Sequence, residues 1–421
     1  MHHFDYKNGE YHCEDVPLSK IAEEVGTPFY CYSAATLKRH FNVFDKAFAS
    51  IPHLICFAVK ANSNMAVLRL FSKEGGGADI VSGGELYRAI RAGVPADRIV
   101  YAGVGKTRDE IRQALEAGIL MFNVESSQEL VAIDAVAAQL GVKARVALRV
   151  NPDVDAKTHP YISTGLKQNK FGISYATAVE EYKQARNLSN IGIVGIHKHI
   201  GSQITQISPF VDALEKTVEL VRQLREEGIE IKYIDIGGGL GITYKDEAPP
   251  LPKELADRIA PILKDTGCTI IFEPGRVLVG NAGALVTRVL YTKHNEGKTF
   301  FVVDAGMNDL ARPSLYGSFH GMMPVNAEVG ERKKVSADVV GPICESGDFL
   351  AKDRVLPLFK QGELVAVMSA GAYGFTMSSN YNSRRRVAEV LVNGGKYEVI
   401  RQRETMEDLV RGESIPAWLA S

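Results

Sequence analysis

Short apolar runs alternate with amphipathic segments along residues 54–275 of the chain. Each run is rich in β-branched residues and ends on a small or polar residue, and the segment after it has the periodicity of a helix that faces a core. Eight near-continuous apolar strands that alternate with helices predict a parallel (β/α)8 barrel, with an open parallel sheet as the alternative. The runs are 54–60, 77–82, 98–103, 120–126, 144–151, 193–201, 233–239 and 269–275.

Capping residues mark the helices between these runs. Thr107 with Glu110, and Ser126 with Glu129, have the spacing of capping boxes, in which a hydroxyl and a carboxylate satisfy the first backbone amides of a helix. Gly118 stands where a glycine commonly ends a helix. Both patterns predict helices within the barrel region.

The connection after the fifth run differs from the others. Residues 151–174 form a long and polar segment before the next helix. Loops of that length in a compact domain are usually functional. We expect this segment to lie over the mouth of the barrel.

Beyond residue 276 the pattern changes to apolar runs separated by turn residues, with little helix. The runs are 283–295, 298–306, 335–346, 363–373 and 388–400, the last with an Asn-Gly-Gly hairpin signal. A chain of 421 residues also exceeds what one core usually covers. These features predict a second, mainly antiparallel β domain.

Composition narrows the classes of function. The chain has 49 basic and 50 acidic residues and no long run of either sign, so nothing indicates a nucleic acid or an acidic membrane surface as partner. It contains no stretch of about 18 uncharged apolar residues and no basic N-terminal segment followed by an apolar one. We expect a cytoplasmic protein without a membrane segment.

The cysteines and histidines do not predict a metal site. Five scattered cysteines fit neither a disulfide framework nor a zinc pattern. His197 and His199 point to one side of a strand, but no cysteine or carboxylate cluster accompanies them nearby in the sequence. We expect no bound metal.

The polar residues at the ends of the eight runs form a set. In a barrel of this kind the active site is assembled at the C-terminal ends of the strands. Charged side chains gathered there are hard to explain by packing alone. The set comprises Lys60, Asp79, Ser82, Glu125, Arg149, Asn151, His199, Gly237, Gly238, Gly239 and Glu273.

The last two runs indicate a phosphate site. Glycines 237–239 follow the seventh run, where barrels often bind phosphate through backbone amides that only residues without a side chain leave accessible. Residues 273–276 follow the eighth run and could close the other side of the same phosphate. The glycine spacing does not match a dinucleotide-binding fingerprint, and residues 103–107 lack the first glycine of a phosphate-binding P-loop.

A lysine, a carboxylate and a phosphate site together indicate pyridoxal phosphate. Lys60 would bond to the cofactor aldehyde, because an amine in a partly desolvated site loses its proton readily. Glu273 would face the pyridine nitrogen and keep it protonated, which makes the ring a strong electron sink. His199 would lie flat on the ring. Each residue alone has an ordinary structural explanation, and their joint placement favours the cofactor.

Seven motifs then point to a known family. They occur in order over nearly the whole chain, as FAVKANSN, GGGADIVSGGEL, KHIGSQ, DIGGGLGI, EPGR, GPICESGD and GAYGFTMSSNYNSR. Together they closely resemble the fold type III pyridoxal phosphate-dependent decarboxylases, and most closely those members that act on diaminopimelate.

The resemblance implies a domain division and a dimer. Residues 27–277 would form the pyridoxal phosphate-binding (β/α)8 barrel, and residues 1–26 and 278–421 a β domain that includes the N-terminal segment. Members of this family work as head-to-tail homodimers with active sites shared across the interface.

The resemblance also implies roles for single residues. The catalytic residues would be Lys60, His199 and Cys344, with Cys344 reaching in from the neighbouring subunit to protonate the carbanion. The residues that hold the cofactor would be Lys60, Asp79, His199, Ser202, Gly237, Gly238, Gly239, Glu273, Gly275, Arg276 and Tyr373. The residues that contact the substrate would be Arg276, Arg312, Tyr316, Glu345 and Tyr373.

These residue types suit a substrate with an amino acid head at each end. Arg276 and Arg312 would pair with the distal carboxylate and Glu345 with the distal ammonium. Relatives of the ornithine type have aspartate at the position that Glu345 occupies here. The implied reaction is decarboxylation of meso-2,6-diaminopimelate to L-lysine and CO2, the last step of lysine biosynthesis.

Three alternatives differ in what they require of the chain. A decarboxylase of the same fold could act on ornithine, arginine or carboxynorspermidine, against which Glu345 and the two arginines argue. A barrel protein that binds pyridoxal phosphate only for homeostasis would lack the β domain. A catalytically inactive regulatory relative should lack Lys60 or Cys344, and this chain has both.

Overall fold

The structure, a computed structural model, describes residues 2–155, 158, 162, 164–165 and 170–419. It divides into two compact units, one of residues Leu37–Val279 and one of the residues up to Thr36 together with those from Gly280 onward. The boundaries implied by the resemblance assign residues 27–36 to the barrel. In the structure they lie in the other unit, because Phe29–Ser33 is a strand of its larger sheet.

The unit Leu37–Val279 is a closed parallel barrel. Each of its eight strands pairs in parallel with its neighbour, and the ring closes where the last strand pairs with the first, with Ile270 opposite His53. The predicted (β/α)8 barrel is confirmed, and the open sheet is wrong. The strands are His53–Ala58, Gly77–Ile80, Ile99–Tyr101, Met121–Val124, Ala144–Asn151, Ile191–His197, Tyr233–Asp235 and Thr269–Phe272, and a two-residue strand, Ile173–Ser174, pairs beside Ala144–Asn151.

Helices alternate with these strands. Thr107 forms the predicted capping box with Glu110, and Gly118 ends the same helix in the left-handed conformation with φ 71°. A glycine pays no steric penalty in that conformation. The helices are Ala34–Ala47, Met65–Lys73, Gly83–Arg91, Arg108–Ala117, Ser127–Leu140, Ala178–Arg186, Ser208–Glu226, Pro252–Lys264 and Arg276–Val279.

The second predicted capping box is only half present. The Ser126 hydroxyl accepts the amide of Glu129 as predicted. The Glu129 carboxylate, however, accepts from the Glu125 amide at 2.9 Å and from Lys106 Nζ at 2.6 Å. The buried ammonium of Lys106 attracts the carboxylate away from the capping position.

Two site residues lie beyond the strands that precede them. The run 54–60 predicts a strand that ends on Lys60, but the strand ends at Ala58 and Lys60 lies in the 3-10 turn Val59–Ala61. His199 likewise lies two residues past the strand Ile191–His197. Turns at the carboxyl ends of the strands therefore carry both side chains, as expected for a barrel active site.

The unit that includes the N-terminal residues contains a three-stranded sheet and a larger mixed sheet. Most pairings in the larger sheet are antiparallel, but Lys298–Val303 pairs in parallel with Lys334–Val340, and Phe29–Ser33 with Ala388–Asn393. The predicted mainly antiparallel β domain is confirmed. The strands are Phe4–Lys7, Glu10–Cys13, Val16–Pro17, Phe29–Ser33, Gly283–Asn295, Lys298–Val303, Met322–Pro324, Lys334–Val340, Phe349–Pro357, Leu364–Val367, Ala388–Asn393 and Lys396–Arg401, and the helices are Leu18–Val25, Arg312–Tyr316, Ala327–Gly330 and Met406–Leu409.

Two further sequence predictions concern the long segment 151–174 and the lack of a membrane-spanning segment. The segment 151–174 lies partly outside the described residues, so its placement over the barrel mouth stays a prediction. Among the residues that the structure describes, no helix combines the length and the apolar character needed to cross a membrane.

Candidate active site

Lys60 and Asp79 form the centre of a polar site at the ends of the first two barrel strands. Lys60 Nζ lies 2.6 Å from Asp79 Oδ2, and the lysine side chain is 38% exposed whereas the aspartate side chain is fully buried. Burial and the nearby Glu273 raise the pKa of Asp79 to about 7, although Lys60 opposes the shift. An accessible lysine amine can bond covalently to an aldehyde, and the carboxylate of Asp79 lies where it could take the proton that the ammonium must lose.

Glu273 follows the eighth strand and is almost completely buried. Its Oε1 accepts a hydrogen bond from Asn123 Nδ2 at 3.1 Å, and its Oε2 lies 3.5 Å from His197 Nε2. Burial alone would raise the pKa of Glu273, but His197 and Lys60 favour the carboxylate more strongly and lower this pKa below its usual value. Glu273 is therefore an ionised carboxylate inside the barrel.

Asp235 is a second carboxyl group in the same cluster. Its Oδ2 accepts from Asn123 Nδ2 at 2.9 Å and its Oδ1 from the Gly237 amide at 2.9 Å. Burial raises the pKa of Asp235 well above its usual value, and Glu273 raises it further. Buried carboxyl groups in one cluster cannot both ionise readily. The negative charge therefore resides on Glu273.

The same cluster brings together three potential metal ligands. The ligand atoms of His197, Asp235 and Glu273 lie within 4.8 Å of one another. The absence of carboxylates near His197 in the sequence does not exclude carboxylates near it in the structure, because Asp235 and Glu273 come from other strands. The expectation of no bound metal stays a prediction.

His199 presents a neutral ring in the same region. Its Nδ1 accepts a hydrogen bond from the Gly238 amide at 3.2 Å, so the proton of the neutral ring is on Nε2. Burial, followed by the charges of Arg149 and Lys60, lowers the pKa of His199 well below its usual value. A neutral imidazole whose orientation is held by the backbone suits stacking against an aromatic ring.

The glycine loop after the seventh strand packs too closely for side chains. A Cβ at Gly238 would lie 2.2 Å from the carbonyl oxygen of Glu273. Gly239 has φ +110°, and its Cβ would lie 2.6 Å from the carbonyl oxygen of Gly201. The loop therefore requires glycine for contact with the backbone and for its conformation.

Gly238→Ala tests this close packing. We expect the substitution to lower the free energy of unfolding by about 1–3 kcal/mol, because backbone must shift to admit the methyl group, and to weaken cofactor binding. Urea unfolding and cofactor titration measure the two effects.

Gly105→Ala is the matched control, since a Cβ there would meet nothing within 4 Å. Its free energy of unfolding should stay within about 0.5 kcal/mol of the original chain. Equal stability and cofactor affinity for Gly238→Ala would show that the loop tolerates a side chain.

Arg276 lies at the start of the short helix after the eighth strand and is almost fully buried. Its Nη2 donates to Ser202 Oγ at 3.1 Å and its Nη1 donates to the Tyr244 hydroxyl at 2.7 Å. The carbonyl of the buried residue Gly275 accepts the amide of Leu278 and so begins the helix turn. These contacts bring the predicted phosphate-side residues Ser202, Gly275 and Arg276 together.

The other unit holds the remaining predicted residues. Arg312 is 5% exposed, and its Nη1 donates to His320 Nε2 at 3.0 Å. His320 Nδ1 lies 2.8 Å from the Met368 carbonyl and must donate to it, so Nε2 is the acceptor. Tyr316 ends the helix that Arg312 begins, and Tyr373 is half-buried with φ 55°.

Cys344 and Glu345 are neighbours in an exposed loop of this unit. All five cysteines are free, four are buried, and Cys344 is exposed. Exposure leaves the thiol and the carboxylate accessible to a ligand or to another subunit.

Sequence reasoning missed Asn123 and Asp235. Asn123 lies within the strand Met121–Val124, two positions before Glu125, and Asp235 is the last residue of the strand Tyr233–Asp235. The alternation of side chains along a strand carries that signal. The partners of such residues come from other strands and are not visible in one run.

Comparison with known proteins places the chain among enzymes. The family model for the pyridoxal binding domain of pyridoxal-dependent decarboxylases matches residues 34–280. The chain is 54% identical to a diaminopimelate decarboxylase of Aquifex aeolicus over 97% of this chain and 96% of that protein. It is 53% identical to that of Pseudomonas aeruginosa over 99% of each.

The chain belongs to the diaminopimelate decarboxylases of the pyridoxal-dependent decarboxylase family. A crystal structure of the diaminopimelate decarboxylase of M. jannaschii in complex with L-lysine has a TM-score of 0.93 to this decarboxylase, with 40% identity and coverage of 99% of this chain and 98% of that one. The cofactor of this decarboxylase is pyridoxal phosphate.

The residues of the barrel fit this cofactor. The decarboxylase has an accessible amine at Lys60, a buried carboxylate at Glu273 and a glycine loop in which a Cβ at Gly238 would clash with the backbone. These are the groups needed for an aldehyde, a ring nitrogen and a phosphate.

Proposed function

We propose that the decarboxylase converts meso-2,6-diaminopimelate to L-lysine and CO2, as the last step of lysine biosynthesis. The observation that carries the proposal is the joint presence of the Lys60 amine and the ionised Glu273 in one cluster of a chain that is 54% identical to a diaminopimelate decarboxylase over nearly its full length. In the reaction one carboxylate leaves as CO2, and a proton replaces it on Cα.

The barrel residues would hold the cofactor. Lys60 would bond to the aldehyde carbon, Glu273 would face the ring nitrogen, and His199 would lie against the ring. When bound, pyridoxal phosphate supplies an aromatic ring that accepts the electron pair of the breaking Cα–carboxylate bond. The phosphate would be held by residues of the glycine loop and its neighbours, and Asp79 and Tyr373 would complete the cofactor contacts. The phosphate-holding residues would be Ser202, Gly237, Gly238, Gly239, Gly275 and Arg276.

The substrate residues have the charges that diaminopimelate requires. Arg276 and Arg312 would bind the distal carboxylate, and Glu345 the distal ammonium. The hydrogen bond from Arg312 to His320 supports this role, because it orients the guanidinium before a ligand arrives. Tyr316 and Tyr373 would line the same pocket.

Proton delivery would involve a second subunit. Cys344 of the partner subunit would give its proton to Cα in a head-to-tail homodimer with shared active sites. The exposure of Cys344 and Glu345 supports this arrangement, since they are accessible to another chain. The five free thiols suit the reducing cytoplasm, where we place the enzyme. In this proposal the barrel unit, Leu37–Val279, holds the cofactor, and the unit of the residues up to Thr36 and from Gly280 onward supplies the partner's groups.

Substrate competition tests the proposed specificity. We expect kcat/KM for meso-diaminopimelate to exceed that for ornithine or arginine by at least about 10²-fold, because a substrate without the distal carboxylate forms no ion pair with the guanidinium of Arg312. Release of CO2 from each substrate, with pyridoxal phosphate present, measures the ratio. Faster decarboxylation of ornithine would refute the assignment. Arg312→Met is the internal control, since it should lower the ratio of kcat/KM for meso-diaminopimelate to kcat/KM for ornithine or arginine.

A further inference from the structure

The loop that carries Cys344 and Glu345 is held by one buried carboxylate. Asp348 Oδ2 accepts the amide of Ile343 at 2.6 Å, and Asp348 Oδ1 accepts the amide of Met307 at 2.7 Å. The Asp348 amide in turn donates to the carbonyl of Glu345 at 3.0 Å. These bonds determine the course of the loop, but none of them involves the amide of Cys344.

The amide of Cys344 is bound by a residue 38 positions away. Cys344 N donates to Asn382 Oδ1 at 2.7 Å. Asn382 has φ 55° and ψ 29°, in the left-handed region, and the next residue, Ser383, has φ 54°. Asparagine tolerates that region better than most residues, whereas a side chain such as that of serine is strained there. The unusual backbone aims the Asn382 amide group at the cysteine. Asn382 therefore holds the backbone of the residue that is proposed to deliver the proton.

We propose that Asn382 is a positioning residue that holds Cys344 in place for the reaction. This inference rests on the role proposed above for Cys344. Proton transfer depends steeply on the distance between donor and acceptor, so freedom of the Cys344 backbone should lower the rate of the chemical step.

Substitutions at position 382 separate the side-chain contact from the backbone conformation. Asn382→Gly keeps access to the left-handed conformation and removes the acceptor, whereas Asn382→Asp keeps both. We expect Asn382→Gly to lower kcat by on the order of 10-fold to 100-fold with KM changed by less than about twofold. Asn382→Asp should retain kcat to within a few-fold. Ser383→Gly is the backbone control, and it should leave kcat and KM unchanged.

Alkylation of Cys344 provides a readout that does not depend on catalysis. Iodoacetamide added to the holoenzyme should label Cys344 selectively, because the other four thiols are buried. The labelling rate should rise several-fold in Asn382→Gly and stay unchanged in Asn382→Asp and Ser383→Gly. Unchanged labelling and unchanged kcat in Asn382→Gly would each overturn the inference. Full activity of Cys344→Ala would refute the proposed proton donor, while the labelling rates would still report whether Asn382 holds the loop.

Discussion

Lys60→Ala should abolish decarboxylation and remove the visible absorbance of the lysine-linked cofactor. The substitution takes away the amine that would bond to the aldehyde, and kcat/KM should fall by at least about 10³-fold, the scale seen when a covalent catalyst is lost. Absorbance spectra of the purified holoenzyme and CO2 release measure the two effects. Retention of both would remove Lys60 from its proposed role.

Lys60→Arg separates the bond from the charge. An arginine keeps a cation beside Asp79 but does not condense with the aldehyde under ordinary conditions. We expect this variant to be as inactive as Lys60→Ala and to keep the pH dependence of stability of the original chain. Activity of Lys60→Arg close to that of the original chain would show that the cation, not the bond, is what matters.

The alanine variant should also change how stability depends on pH. The pKa of Asp79 is about 7 even with Lys60 beside it, above its ordinary value of 3.8. A carboxyl group with a raised pKa in the folded state favours folding when protonated, so its effect is destabilising above pH 7 and fades as pH falls towards 3.8. Without the opposing charge of Lys60 the pKa rises further. The free energy of unfolding of Lys60→Ala should therefore fall more steeply as pH rises above neutrality.

Local patterns were sufficient to predict the barrel. Strands buried on both faces read as continuous apolar runs, and caps such as Thr107 act within one helical turn, so both signals lie in adjacent residues. The sequence predicts the end of the first strand two residues too late, because Val59 is apolar although it lies in a 3-10 turn. Apolar composition reports burial, and it does not distinguish the end of a strand from a buried turn.

The site was harder to predict than the fold. Lys60 and Glu273 stand out because charged residues follow apolar strands, but the partners of Glu273 depend on which strands face one another across the barrel interior. Asn123 and Asp235 lie 112 positions apart in the chain and meet at 2.9 Å. No local pattern predicts a contact of that separation. For the same reason the sequence does not assign Phe29–Ser33 to the β unit, since the partners of this strand begin at residue 283.

Glu273→Gln should lower kcat by about 10²–10³-fold, because it removes the one ionised carboxylate of the buried cluster and with it the group that keeps a ring nitrogen protonated. The side chain keeps its length, so a fall in kcat cannot be attributed to lost volume. In the original chain Asn123 Nδ2 donates to Glu273 Oε1 at 3.1 Å. The glutamine amide presents either its oxygen or its NH2 group to that nitrogen. Steady-state kinetics and cofactor titration measure the effect.

Asp235→Asn is the matched control because it alters the other carboxyl group of the cluster. Burial raises the pKa of Asp235 well above its usual value, and the charge of Glu273 raises it further, so the neutral form of Asp235 is favoured and its replacement by a neutral amide removes less charge than Glu273→Gln does. We expect a loss in kcat of about tenfold or less, caused by rearranged hydrogen bonds to Asn123 and the Gly237 amide. Equal losses in both variants would mean that the two carboxyl groups share the charge. A larger loss in Asp235→Asn would place the charge on Asp235 and would assign to it the role proposed for Glu273.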